Sequence, residues 1–163
     1  YEMKFGKKNE NDEIFEPSCL DEYMENYFVK NKLNVPVTIL HQNDLIHLCG
    51  RVLVLETTGT GFYFVVYIPK TYIHYQVVLD NIKEGILQGF SKEGWADDYD
   101  VKYKKDGSFD CLVIKKLIFT ALSIVSTPAN RLRFDDVKET LDVKNSTRFV
   151  RKKEENIEDL LFN

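Results

Sequence analysis

The chain has 163 residues, a length that suits one domain with a single core. Hydrophobic residues make up 44% and aromatic residues 13%, which predicts a folded chain rather than a disordered one. The formal net charge is −4, and no basic stretch dominates, so the composition argues against a nucleic-acid-binding protein. The longest uncharged apolar run, LIFTALSIV, is far shorter than the roughly 20 residues of a membrane-spanning helix.

Three cysteines, Cys19, Cys49 and Cys111, are widely spaced and include no CxxC pair. The odd count argues against a disulfide framework and favours a reducing compartment. Cys49 and Cys111 lie in apolar runs, and we interpret both as small core residues. No metal site or cofactor is predicted, because the histidines and cysteines show no ligand spacing such as HExxH.

The first part of the chain opens with a polar stretch, residues 1–17, that we interpret as a loose arm. SCLDEYMENYFVKNK then predicts a helix with Ser18 as its N-cap, since apolar residues recur at three- to four-residue spacing. VPVTILHQ predicts a short strand that opens at a proline.

Two more strands are predicted over CGRVLVLETT and FYFVVYIP, joined by a hairpin turn at TGTG. TYIHYQVVLDNIKEGIL predicts the most regular helix of the chain, because its apolar residues form a stripe at three- to four-residue spacing. We expect Thr71 to cap this helix and a glycine, Gly85, to end it in a left-handed conformation.

The last predicted strands form a β-hairpin over DYDVKYKKDGSFDCLVIKKLIF, which turns at Asp106–Gly107. LIFTALSIVS predicts a buried strand that stops at Pro128. From Asp135 onward the composition becomes charged. We therefore divide the chain into a core domain over residues 1–134 and a charged tail over residues 135–163.

This order of elements favours an α+β fold, with adjacent antiparallel strands joined by short turns around one packed helix. A small closed or sandwich-like sheet satisfies that pattern. Alternating parallel βαβ units are not supported.

Two residues are candidates for chemistry. His41 ends a predicted strand, where its polar ring suits a general base, although a structural histidine at a strand end is the alternative. Ser91 follows the long helix, but GFSKEG is not the G-x-S-x-G nucleophile elbow. Ser123 and Ser126 compete with it, and their apolar surroundings are typical of hydroxyls that bond the backbone.

Four segments, taken in order, resemble the prohead proteases of tailed bacteriophages, the serine proteases that mature procapsids. VPVTILHQND resembles the strand that ends in the family's catalytic histidine, and LCGRV resembles its glycine-containing strand start. VLDNIKEGILQGFS resembles the helix and the approach to the catalytic serine, and LSIVSTPAN resembles a late strand with a Pro-Ala-Asn turn. The resemblance spans residues 35–134.

The resemblance implies a serine endopeptidase with His41 as general base and Ser91 as nucleophile. It implies a fold similar to the herpesvirus assemblin protease, an antiparallel β-barrel with packed helices, and by the same analogy a homodimer. Donors to the developing oxyanion are expected at residues 128–131. No cofactor is implied.

The implied substrates are the scaffolding protein, the leading segment of the major capsid protein and the chain itself. The implied location is the procapsid, in the cytoplasm of the bacterial host. Under this interpretation the tail tethers the enzyme in the procapsid or is removed by self-cleavage; a mobile solvated tail is the alternative.

The chain departs from the family pattern at two places. An acidic residue often stands two positions before the serine of the late strand, and here that position is Ala121. If that acid orients the histidine, another group has to serve, and Asp44, His47 or an acid in DDYD are candidates. In addition, KEGW follows Ser91, where the family tends to have a small apolar residue and then glycine.

Two other function classes remain open on the sequence. Because of Ala121, the chain is alternatively a catalytically inactive relative that acts as a capsid scaffold or assembly protein. A β-barrel binding module for a ligand or an oligonucleotide is disfavoured, because the aromatic residues are not interleaved with Lys and Arg on one face.

Overall fold

A computed structural model of the chain describes residues 2–30, 34–57, 61–128 and 148–151. These residues form a mixed sheet and two short α-helices. The strands are β1 (Glu2–Lys4), β2 (Glu13–Phe15), β3 (Pro36–Ile39), β4 (Leu48–Thr57), β5 (Gly61–Tyr67), β6 (Gly89–Tyr103), β7 (Phe109–Val125) and β8 (Arg148–Arg151). The helices are α1 (Asp21–Met24), which continues as a π-helical segment over Glu25–Lys30, and α2 (Tyr75–Lys83).

The strand order along the sheet is β1-β5-β4-β3-β7-β2, with β6 also paired to β7 and β8 also paired to β4. The sheet curls into a half-barrel, and the α+β class is confirmed. It is mixed rather than antiparallel, however, because β2 and β3 both run parallel to β7, and β8 runs parallel to β4. The predicted all-antiparallel barrel is therefore wrong in its strand directions: strands distant in the sequence pair here, which the local turns do not reveal.

Strand β7 organises the part of the sheet that matters for function. One of its edges pairs with β6 from Gly89 to Tyr103. Its other edge pairs with β2 over residues 112–114 and with β3 over residues 122–124. β3 and β6 therefore lie on opposite sides of the last residues of β7.

The β6–β7 pair contains a bulge close to its first residues. Glu93 pairs with Ala121, whereas the next residue, Gly94, pairs with Phe119, so Thr120 is an extra residue in β7. An extra residue reverses the alternation of side chains between the two sheet faces. Phe119 consequently lies in the hydrophobic core, where its ring stacks on Phe64 at 6.0 Å.

Several local predictions are confirmed. The β6–β7 hairpin turns at Asp106–Gly107, where the glycine has a φ of +84°. Gly85 ends the second helix with a φ of +73°, as expected for a left-handed C-terminal residue. The helix itself is shorter than predicted, since it begins at Tyr75 and Thr71 does not cap it.

The first helix also differs from its prediction. It begins at Asp21, and its N-cap residue, Leu20, makes no side-chain hydrogen bond, so the predicted Ser18 cap is wrong. The turn predicted at TGTG includes residues 58–60, which lie outside the described residues.

The loose arm predicted over residues 1–17 is wrong for its described part. β1 pairs with β5, and β2 pairs with β7. Phe5 and Phe15 are both buried, and the Phe5 ring packs edge-on against Phe62 at 4.6 Å. Burial of two aromatic side chains stabilises this segment on the core despite its many charges.

The charged tail predicted from Asp135 includes residues that belong to the sheet. Arg148–Arg151 form β8, which pairs with residues 54–57 of β4. The other tail residues, 135–147 and 152–163, lie outside the described residues.

Candidate functional site

The residues that follow β3 form a strained turn around His41. Leu40 and His41 have φ angles of +52° and +59°, and the Gln42 N–H donates to the Ile39 carbonyl at 3.0 Å. Left-handed φ values at both central residues are typical of a type I′ turn, which normally uses glycine or asparagine. Each non-glycine residue in this conformation costs about 1–2 kcal/mol. The backbone of the candidate general base, His41, is therefore held in a strained conformation.

Two hydrogen bonds from β7 hold this turn. The Leu40 N–H donates to the Ile124 carbonyl at 2.9 Å, and the His41 N–H donates to the Ser123 hydroxyl oxygen at 2.8 Å. Ser123 is completely buried. Because backbone strain persists only where its surroundings impose it, these bonds explain how His41 keeps its position.

Ser91 lies on the other side of the same serine. It is the antiparallel partner of Ser123 in the β6–β7 pair, and Thr38 is the parallel partner of Ser123 in the β3–β7 pair. Directly paired residues point to the same face of a sheet and lie on strands about 4.8 Å apart. The three hydroxyl side chains therefore form one row on one sheet face, with the half-buried Ser91 at its outer end.

A carboxylate lies on this face as well. Glu93 is two residues beyond Ser91 in β6, so the two side chains share a face. One carboxylate oxygen of Glu93 lies 3.4 Å from Nδ1 of His41, and the Glu93 side chain is only 12% exposed. Glu93, a residue that the sequence analysis missed, therefore lies against His41 and shares a sheet face with Ser91.

The Glu93 carboxylate is itself held by hydrogen bonds from two side chains. The Thr38 hydroxyl donates to Oε1 at 2.6 Å, and the Asn43 amide donates to Oε2 at 3.1 Å. Thr38 belongs to β3, so the Glu93 side chain crosses β7 to reach it. It passes the position of its cross-strand partner, Ala121, whose side chain is a single methyl group.

Two of the acids proposed from the sequence to orient His41, Asp44 and Asp100, have other partners. Asp44 contacts Nδ1 of His47 at 2.6 Å and accepts the backbone N–H groups of Ile46 and His47. These hydrogen bonds, led by the His47 N–H, lower the pKa of Asp44. In DDYD, Asp100 pairs with Lys115 at 2.7 Å.

Competing nucleophiles are less suitable. Cys19, Cys49 and Cys111 are free and buried, as the sequence analysis predicts for the last two. Burial raises the pKa of Cys19 and that of Cys49 to about 12, so both remain thiols at neutral pH, and the thiolate is the reactive form. Ser123 is buried and already bonds the His41 backbone.

The predicted oxyanion donors fall largely outside the described residues, which end at Pro128 before the gap to residue 148. Within the described ranges there is no cluster of three His, Cys, Asp or Glu side chains that could hold a metal ion. Among the same residues, neither helix is long and apolar enough to cross a membrane.

Comparisons with models of known protein families, with curated proteins and with solved structures find no match to this chain. The described residues nevertheless contain a half-buried serine on β6, a histidine in the turn that follows β3 and a carboxylate against the histidine ring. Such a set of groups is suited to nucleophilic catalysis by a hydroxyl.

Proposed function

We propose that this protein is a serine endopeptidase with Ser91 as nucleophile and His41 as general base. The observation that carries the proposal is the position of Ser123, which bonds the His41 backbone at 2.8 Å and is the direct cross-strand partner of Ser91. Two candidates that are fifty positions apart in the sequence thus flank one buried residue. A purely structural role for His41 would not explain why His41 and Ser91 both lie next to Ser123.

The proposed reaction is acyl transfer. The Ser91 hydroxyl attacks the carbonyl carbon of the scissile peptide bond while His41 takes its proton, and the resulting oxyanion collapses as His41 protonates the departing amine. Water then attacks the acyl-enzyme, gives its proton to His41 and releases the carboxylic acid, and His41 returns the proton to Ser91. The enzyme is regenerated without a cofactor.

The proposed biological role is procapsid maturation, in line with the sequence resemblance to the prohead proteases of tailed bacteriophages. The substrates are the scaffolding protein, the leading segment of the major capsid protein and the chain itself, inside the procapsid in the bacterial host cytoplasm. We also propose that the curled sheet is related to the assemblin barrel and that the active form is a homodimer. The contact between Glu93 and His41 favours an active enzyme over an inactive scaffold, since the latter was motivated by Ala121.

A serine-directed fluorophosphonate probe tests the site assignment, with cleavage of the cognate scaffolding protein as the second readout. We expect labelling and cleavage by the native protein and the loss of both in Ser91→Ala and in His41→Ala. Ser126→Ala is the matched control, because this exposed serine follows β7 and should leave both readouts intact. Undiminished cleavage by a folded Ser91→Ala protein would contradict the proposal; the oligomeric state is measured in the same samples.

A further inference from the structure

We propose that Glu93 is the positioning residue for His41 and takes the place of the acid that the family carries at the position of Ala121. The proposal rests on the proposed serine peptidase function and adds to it a residue that the family pattern does not supply. In this chain the proposed orienting acid lies on β6 instead of β7, and its carboxylate lies next to the histidine ring.

The atoms that meet are the ones such a role requires. The ring nitrogen facing Glu93 is Nδ1, at 3.4 Å. In the proposed reaction, Nε2 is then the nitrogen that exchanges the proton with Ser91. A carboxylate that accepts the Nδ1 proton fixes the tautomer in which Nε2 is the base. The separation is long for a hydrogen bond, but such bonds commonly shorten when substrate binds.

The carboxylate is oriented before it meets the histidine. Thr38 donates to one oxygen at 2.6 Å and Asn43 donates to the other at 3.1 Å. Both donors belong to the chain segment that leads into and out of the strained turn of His41. Strand β3, its turn and the acid therefore form one connected unit, in which movement of the carboxylate is restrained on both oxygens.

Ala121 makes this route possible. It faces Glu93 directly across the β6–β7 pair and is buried. A longer side chain at this position would occupy the path that the Glu93 side chain takes over β7 towards Thr38. The small residue and the acid are thus two parts of one arrangement, and Ala121 by itself does not indicate an inactive site.

The first experiment compares Glu93→Gln with Glu84→Gln, an exposed glutamate at the end of α2. Glutamine preserves the size of the side chain but removes the charge. We expect kcat to fall by about 10³- to 10⁴-fold in Glu93→Gln, with KM changed by less than about threefold, and no change in Glu84→Gln. A rise in KM with an unchanged kcat would overturn the positioning role.

The second experiment does not depend on catalysis. Nitrogen NMR of the His41 ring in the Ser91→Ala background reports which ring nitrogen carries the proton. We expect Nδ1–H to predominate with Glu93 and to lose its preference in Glu93→Gln; an identical tautomer ratio in both proteins would overturn the proposal. Cleavage activity retained by Ser91→Ala would instead reject the peptidase site while leaving this NMR result interpretable.

A third experiment moves the acid back to β7. The kcat of the double variant Glu93→Ala/Ala121→Glu should be at least tenfold higher than that of Glu93→Ala alone. The reason is that the new carboxylate starts from the facing position on the same sheet face. If this double variant is unfolded by circular dichroism, the Glu93→Gln results decide alone. A folded double variant without recovery counts against interchange of the two positions.

Discussion

The main-chain N–H of His41 donates to the hydroxyl of Ser123, and this 2.8 Å bond fixes the end of β3 to the middle of the sheet. It links a strained turn to a fully buried side chain whose cross-strand partner in β6 is Ser91. The geometry of the proposed site therefore depends on a residue that does not itself react.

Removal of this hydroxyl in Ser123→Ala should lower both stability and activity. The loss of one hydrogen bond in a buried position costs about 1–2 kcal/mol, and the turn carrying His41 loses one of its two restraints from β7. Urea unfolding and the rate of fluorophosphonate labelling measure the two effects. Ser126→Ala, which changes an exposed serine, should alter neither.

Replacement of Leu40 by glycine should stabilise the protein by up to about 1 kcal/mol. Leu40 has a φ of +52°, where glycine avoids the left-handed penalty, although glycine also gains entropy in the unfolded chain. The midpoint of urea unfolding reports the change. Leu45→Gly is the control, because Leu45 is 88% exposed and has no positive φ. Glycine there only increases the entropy of the unfolded chain, so the midpoint of urea unfolding should fall.

Substitution of Gly94 by alanine should destabilise the protein by more than about 2 kcal/mol and reduce labelling of Ser91. A β-carbon at this position would lie 1.9 Å from the Ile118 carbonyl oxygen, and the φ of +150° disfavours other residues. Gly94 directly follows Glu93 in the β6–β7 bulge. A backbone shift that removes the clash should therefore also displace the Glu93 carboxylate. Gly107→Ala also has a positive φ but meets no atom within 4 Å, and should cost only about 1 kcal/mol.

Stability should decline at alkaline pH because of two buried thiols. Burial raises the pKa of Cys19 and that of Cys49 to about 12, whereas a thiol in an unfolded chain has a pKa of about 8.5. The unfolded chain therefore loses these protons first, so their contribution to stability is complete below about pH 8.5 and is lost as the pH rises towards 12.

Urea unfolding between pH 8 and pH 10.5 measures this decline. We expect a shallower fall in the unfolding free energy with pH in Cys49→Ala than in the native protein, whatever the absolute stability of the variant. Parallel curves for the two proteins would show that the thiol does not contribute.

Local features of the fold were predictable because they depend on neighbouring residues. The hairpin at Asp106–Gly107 and the glycine end of α2 follow from the backbone freedom of glycine, and the structure has both. The parallel pairing of β3 with β7 was not predictable, since the paired residues are about half of the chain apart in the sequence. The N-terminal strands were missed because Phe5 and Phe15 are isolated among polar residues, and their burial depends on distant partners.

The candidate site was predictable to a similar extent. His41 and Ser91 were named with the help of the resemblance, whereas Glu93 was not, because the residues directly after Ser91 were not assigned to a strand. If they are recognised as a strand, the alternation of side chains puts Ser91 and Glu93 on one face. Even then, the meeting of Glu93 with His41 depends on the register of β6 and β3 against β7, which requires the three-dimensional structure.

The position of β7 between β3 and β6 has a consequence for synthesis on the ribosome. β3 and β6 are both translated before β7, yet each is positioned by residues 121–125 of that strand. A nascent chain that already carries the histidine, the serine and the glutamate lacks the strand that joins them. The proposed peptidase activity should therefore emerge only after this late segment leaves the exit tunnel, and an incomplete chain would then not cleave its surroundings.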